Sequence, residues 1–193
     1  MGPTGRNEST APVDILKGVF CLDFEASSLN ATGYPIEVGI AEVESGLTLA
    51  WLIQPTPEWH DVGIWDDASQ AVHGIAREEL KSSGMAPARV AKELTDILAG
   101  KRVLSDNVGF DTRWLRQLYA AAGVANPPFV LEELEVYAWH VVRVSGRLPH
   151  VAFRKAEIAT RIAFPVLHRA GPDAQHNAEL LRQLCGRASP AMR

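Results

Sequence analysis

The stretch Gly18–Ser28, G-V-F-C-L-D-F-E-A-S-S, decides how this chain is read. Gly18 to Phe24 is apolar until the acids begin, as in a strand buried on both faces. Asp23 and Glu25 are two residues apart, so on a strand both side chains leave the same face while Phe24 turns to the other. Two ionised carboxylates held that close repel by roughly 4 kcal/mol at ~4 Å with an effective dielectric near ~20. A cation must offset that repulsion, and hard oxygen ligands on a rigid strand suit Mg²⁺ or Mn²⁺. The other reading of an isolated D-x-E pair is a solvated strand end.

Outward from this strand, Ile36, Val38 and Ile40 alternate with smaller or polar residues and predict a second strand. Leu47 to Ile53 predicts a third, with Ser45-Gly46 as the hairpin turn between them. Pro55 and Pro57 break the pattern and predict a loop to about Ser69. Helical spacing then predicts a helix over Ala86–Ala99 and another from Gly109 or Phe110 to Gly123, with the short strand Arg102–Ser105 between. Leu131, Leu134, Ala138 and Val141 mark a further helix, Pro149 opens the next, and Pro172 suits the first turn of the last. Strands first, then alternating helix and strand, predict an α/β or α+β sheet covered by helices.

A chain of 193 residues, 47% hydrophobic and 22% charged, has the length and composition of one globular domain. Disordered and collagen-like classes are excluded on composition. Residues 1–13 read as a flexible tail without signal-peptide or myristoylation pattern, 14–188 as a single domain, and 189–193 as a C-terminal tail. Two cysteines, Cys21 and Cys185, make no disulfide framework and fit a reducing, cytoplasmic setting. No apolar run approaches the ~20 residues that span a bilayer, so no membrane partner is expected. The net charge is −4, yet Ala138–Pro172 holds six basic residues against Glu157 alone. That stretch is +5 and the rest −9, a local positive face of the kind that binds phosphates, or else a solvated helix surface.

Two further segments carry acids. Asp111, in S-D-N-V-G-F-D, falls in the first turn of its helix, where the macrodipole favours an ionised carboxylate. Its neighbours Asp106 and Asn107 read as strand-to-helix connection and cap. Asp173 also falls in a first helical turn, and His168 precedes it by five residues in H-R-A-G-P-D. Histidine, with an ordinary pKa of about 6.5, takes a proton from water at neutral pH.

The set D-F-E, N-V-G-F-D and H-R-A-G-P-D resembles the DEDDh group of DnaQ-like 3′–5′ exonucleases, over about Gly18 to Cys185. H-G-I-A-R-E-E-L from His73 looks like the stretch that family carries between its first two motifs. The resemblance implies a ribonuclease H-like fold with a mixed five-stranded sheet flanked by helices. It implies two divalent ions, Mg²⁺ or Mn²⁺, on Asp23, Glu25, Asp111 and Asp173, with His168 as general base. It implies single-stranded 3′ ends of DNA or RNA as partner, 5′-mononucleotides as product, and the terminal nucleotide held by Ala26, Ser27, Ser28 and Leu29. His73 is expected to be a structural residue beside the cleft. Three departures bear on the tuning of that cleft: Asp106-Asn107 where many members have His-Asn, Ser27-Ser28 for Thr-Gly, and Gly171-Pro172 before Asp173. The competing readings are a catalytically silent nucleic-acid or protein-binding module on the same fold, or an RNA-trimming exoribonuclease.

Overall fold

A computed structural model describes residues 15–187; the two tails expected from the sequence lie outside the described residues. Five strands form one mixed sheet in the order β3-β2-β1-β4-β5. β1 (Val19–Ala26), β2 (Pro35–Glu42) and β3 (Thr48–Leu52) pair antiparallel, and β4 (Arg102–Ser105) and β5 (Leu131–Glu133) continue the sheet parallel to β1. The strand that opened the sequence reading is therefore the middle one, covered on both faces.

Alternation along β1 divides the interior in two. Phe20, Leu22 and Phe24 enter one core with Val90, Leu94 and Leu98 of α4 (Pro87–Leu98) and Trp114, Leu115 and Leu118 of α5 (Val108–Ala121). Val19 and Cys21 enter the other, with Leu134, Ala138 and Val141 of α6 (Leu134–Val144), Ala152 and Ala156 of α7 (Pro149–Ala163) and Ala174, Ala178 and Leu181 of α8 (Ala170–Cys185). Each fully buried aliphatic or aromatic side chain contributes roughly 1.5–3 kcal/mol. Asp23 and Glu25 continue the parity of Val19 and Cys21, which aims both carboxylates at the α8 side of the sheet.

Two expectations need correction. The stretch after Pro55 is not a loop: Thr56 caps α1 (Pro57–Val62), Asp66 caps α2 (Asp67–His73), and α3 (Arg77–Ser83) follows. Proline at the first helical position and the Thr and Asp caps were start signals, but each helix is too short to show a periodic apolar face. Leu131 belongs to β5, and the helix predicted there starts at Leu134. A three-residue strand has no alternation to read, so the fifth strand was carried only by the family resemblance. The last helix, α8, begins at Ala170, which places Pro172 in its first turn as expected.

α8 approaches the sheet unusually closely. A Cβ on Gly39 of β2 would lie 2.1–2.3 Å from the backbone of Ala170 and Gly171, and one on Gly171 would lie 3.0 Å from Ala50 Cβ. Glycine at both positions brings the helix N-terminus down onto β2, and so carries Asp173 to the β1 acids.

Candidate active site

Strand register assembles the acids. Cys21 pairs with Leu104 in the parallel β1–β4 ladder, so two residues further on Asp23 and Asp106 emerge side by side. Carboxylate oxygens of Asp23, Asp106 and Asp111 all lie within 4.8 Å of one another, and so do those of Asp23, Glu25 and Asp173. Asp23 is common to both groups. The four acids singled out in the sequence are thus brought together, and Asp106 joins them. Sequence reasoning placed Asp106 in a connection; the signal it lacked was the β1–β4 register.

Burial and mutual repulsion set the protonation of this cluster. Asp23 is raised well above the usual carboxylate range by burial first and then by Asp111, Glu25, Asp106 and Asp173. Glu25 is pushed up to about 8 by burial, then by Asp173 and Glu37, with Arg169 opposing. Asp111, 3% exposed, is pushed up to about 7 by burial and Asp106, although it accepts a hydrogen bond of 2.5 Å from Ser105 Oγ. Ser105 also accepts from Asn107 N–H at 2.9 Å, which fixes the β4–α5 turn around Asp111. An all-oxygen donor set, held rigidly and proton-hungry at neutral pH, fits hard divalent cations such as Mg²⁺ or Mn²⁺.

Asp173 is positioned from two sides. Its carboxylate accepts the Leu167 N–H at 2.8 Å, tying the preceding loop to the helix. Arg169 pairs through two nitrogens with Glu37 (Nη2–Oε1 2.6 Å, Nε–Oε2 3.0 Å), and the same carboxylate accepts the Ala170 N–H at 2.9 Å. Glu37 is buried and sits directly across the ladder from Glu25, so the arginine also screens one carboxylate from the other. This pair was not foreseen, since nothing local in P-I-E-V-G links residue 37 to residue 169. Between these anchors stands His168, exposed and with φ of 53°, the one non-glycine described residue at positive φ. A branched-at-Cγ side chain in that region is uncommon, and the flanking anchors are what hold it there.

Beside the acids lies a slot of about 190 Å³ lined by Asp23, Glu25, Ala26, Leu29, Val72, His73, Phe110 and Trp114, among others. Of the four residues expected to hold a terminal nucleotide, Ala26 and the 64% exposed Leu29 line it. Ser27 and Ser28 are fully buried. Ser27 Oγ donates to Ile64 C=O (2.8 Å) and accepts from Tyr34 N–H (3.0 Å), and Ser28 Oγ accepts from Asn30 N–H (3.1 Å). Their hydroxyls therefore shape the loop instead of facing the slot. Arg113 braces the same loop through Asn30 and Ala31 carbonyls at 2.5 and 2.7 Å.

His73 borders the slot with 4% exposure, its Nδ1 accepting the Ile75 N–H at 3.0 Å and its Nε2 without a partner among the described residues. Burial lowers its pKa, which keeps the ring neutral with its remaining proton on Nε2. Gly74 at φ 70° ends α2 and turns the chain so that this Nδ1 contact can form, which accounts for the H-G-I sequence.

No protein-family model and no curated protein matches the chain. Solved structures do. E. coli exonuclease I in complex with a dT13 oligonucleotide superposes with a TM-score of 0.61 at 17% identity, over 85% of this chain and 40% of that one. Its complex with a dA16 oligonucleotide gives 0.62 at 18% identity, with the same coverage. S. pombe Pop2p in its Mg²⁺- and Mn²⁺-bound form gives 0.54 at 15% identity, over 84% of this chain and 81% of that one. The chain spans about 40% of the length of the exonuclease I structures it matches. Its fold is the DnaQ-like exonuclease fold, a ribonuclease H-like α/β sheet with helices on both faces.

Proposed function

We propose that this chain is a metal-dependent 3′–5′ exonuclease that removes 5′-mononucleotides from single-stranded ends of DNA or RNA, within one domain of about residues 14–188. The observation that carries the reading is the sharing of Asp23 between two groups of convergent carboxylates. One group, with Glu25 and Asp173, and the other, with Asp106 and Asp111, would hold a divalent ion each. Mg²⁺ or Mn²⁺ bound there would supply Lewis-acid activation of the attacking water and stabilisation of the departing oxygen.

The protein's own residues do the rest. Leu29, Val72 and Phe110 offer an apolar slot small enough for one flat ring, which would seat the terminal base beside the acids. His168 takes a proton from the water as its oxygen attacks phosphorus. The bond from phosphorus to the 3′ oxygen breaks, and that oxygen becomes the new 3′-hydroxyl end. Glu37 and Arg169 hold the helix on which Asp173 rides. All four expected ligands are present and converge, which disfavours a silent binding module. The two free cysteines suit a reducing, cytoplasmic environment.

The test is digestion of matched single- and double-stranded DNA and RNA oligonucleotides, labelled at the 5′ end, with Mg²⁺ or Mn²⁺. A ladder shortening from the 3′ end is expected, absent in Asp23→Asn and in chelator. Inertness on every substrate with Mn²⁺ present would refute the proposal, and the DNA/RNA comparison separates a general exonuclease from an RNA-trimming one.

A further inference from the structure

The basic stretch noticed in the sequence is not one surface. Arg169 is committed to Glu37, whereas Arg143 and Arg147 line a large cavity of about 1010 Å³ under α6, together with Arg102, Tyr137, Trp139 and His140. A second cavity of about 550 Å³ shares Arg102, Tyr137 and His140 with the first and adds Lys17 and Lys101. The two adjoin at these three shared residues and are treated together as one groove. Five permanent cations face it against two acids, Glu132 and Glu133, in a chain whose net charge is −4.

This groove is remote from the acidic cluster. Arg102 is the first residue of β4 and Asp106 follows its last, so the strand separates them by about 13 Å. The two ends of the sheet thus carry opposite electrostatic signs.

The groove's parts differ in how far they are already engaged. Arg102 pairs with Glu132 at 3.0 Å and stacks over Tyr137, 4.9 Å from its ring centre. Arg147 donates to the Gln183 and Leu184 carbonyls at the end of α8, which fixes its position. Lys17, Lys101 and Arg143 are exposed and make no ion pair among the described residues. Trp139 is 49% exposed, and its ring packs at 4.7 Å against Phe153 at a tilt of 51°, so about half of the side chain stays open to solvent beside the groove. Unpaired cations along a groove beside a half-exposed aromatic ring are what single-stranded nucleic acid requires: charge for its phosphates and a platform for a base. An acidic protein surface would use the charge but has no need of the indole.

We propose that this groove is a second binding surface for single-stranded nucleic acid, independent of the acidic cluster. It goes beyond the exonuclease reading, since binding here needs neither metal nor hydrolysis. Binding that persists in EDTA and is lost when only groove residues are changed reports the groove, not the acidic cluster.

The experiment is fluorescence anisotropy of the full chain with a fluorescein-labelled oligothymidylate of about twenty nucleotides in EDTA, over a salt series. The double variant Lys101→Glu/Arg143→Glu should bind on the order of tenfold more weakly or worse, with a shallower salt dependence. Oligonucleotide should quench tryptophan emission in the wild type and much less in Trp139→Phe, whose fold is checked by circular dichroism. Unchanged affinity and salt slope in the double variant overturn the proposal. So does a poly-glutamate peptide that competes equally while Trp139→Phe binds oligonucleotide like the wild type, which would assign the groove to an acidic protein partner. Binding without hydrolysis in the wild type would sink the exonuclease reading alone, whereas hydrolysis without groove binding would sink this one alone.

Discussion

Raising the pH of the metal-free protein from about 5 to about 9 should destabilise it sharply, because folding gathers carboxylates that must then give up their protons. Glu25 passes from an ordinary 4.5 to about 8, and Asp111 from 3.8 to about 7. The sign follows from which state lets go first. Below about pH 3 both folded and unfolded chains hold these protons, and neither carboxyl adds charge to the cluster. Between the two pKa values the unfolded chain has released them while the folded chain still binds them, so each step up in pH favours unfolding until the folded carboxyls ionise too. For Glu25 alone the loss is roughly 5 kcal/mol at 1.36 kcal/mol per pKa step. For a chain of this length that lowers Tm by about 10–20 °C. The assay is thermal unfolding followed by circular dichroism in EDTA across this pH range. Glu25→Gln should flatten the profile and raise Tm at the alkaline end. Mg²⁺ or Mn²⁺ at 100-fold over its Kd should restore about 2.7 kcal/mol to the wild type near neutrality. A wild-type Tm that is flat through this window, or a Glu25→Gln variant with the same slope, would refute the reasoning.

Four further outcomes are expected. His168→Ala should lower kcat by about 10²–10⁴-fold, the usual contribution of a positioned base, while the metal-induced rise in Tm survives; kinetics and calorimetry on the same preparation check both. Asp106→Asn should weaken binding of one ion more than the other, separable by isothermal titration, and should stabilise the metal-free protein at neutral pH because one charge leaves the Asp23–Asp111 group. Glu37→Ala removes the acceptor of three hydrogen bonds and leaves Arg169 unpaired; a loss of about 2–4 kcal/mol in urea unfolding is expected, with kcat falling as α8 loosens. Gly39→Ala should cost about 1–3 kcal/mol or more and weaken metal binding, since its methyl would meet the α8 backbone.

How much of this was legible beforehand depends on the range of each signal. β1 was readable because eight consecutive residues carry the pattern, and its parity alone puts Asp23 and Glu25 on one face. Asp111 and Asp173 were readable because each follows a helix start, and the family resemblance joined them. Asp106 does lie in the β4–α5 connection, as read, but its approach to Asp23 comes from a parallel ladder between residues more than 80 positions apart, and no local pattern sets that register. Glu37 was missed for the same reason, its partner lying on another element. Ser27, expected at the terminal nucleotide, is turned to the loop by hydrogen bonds with Ile64 and Tyr34 that exist only once the chain has folded back, and Ser28 by a local turn bond from the Asn30 N–H.

One structural choice links fold to site most directly. The cluster destabilises the chain that builds it, so something must keep α8 from drifting away and relieving the crowding. Packing of Ala174, Ala178 and Leu181 holds the helix body, but the N-terminal turn that bears Asp173 has Gly171 where a larger residue would add contact. Glycine there and at Gly39 gives up apolar burial for proximity, and the Glu37–Arg169 pair, with its third bond to Ala170, secures the turn instead. A packed hydrophobic turn at that point would serve stability better but would hold Asp173 further from Asp23. The anchor closest to the acids is therefore polar because the geometry leaves no room for an apolar one.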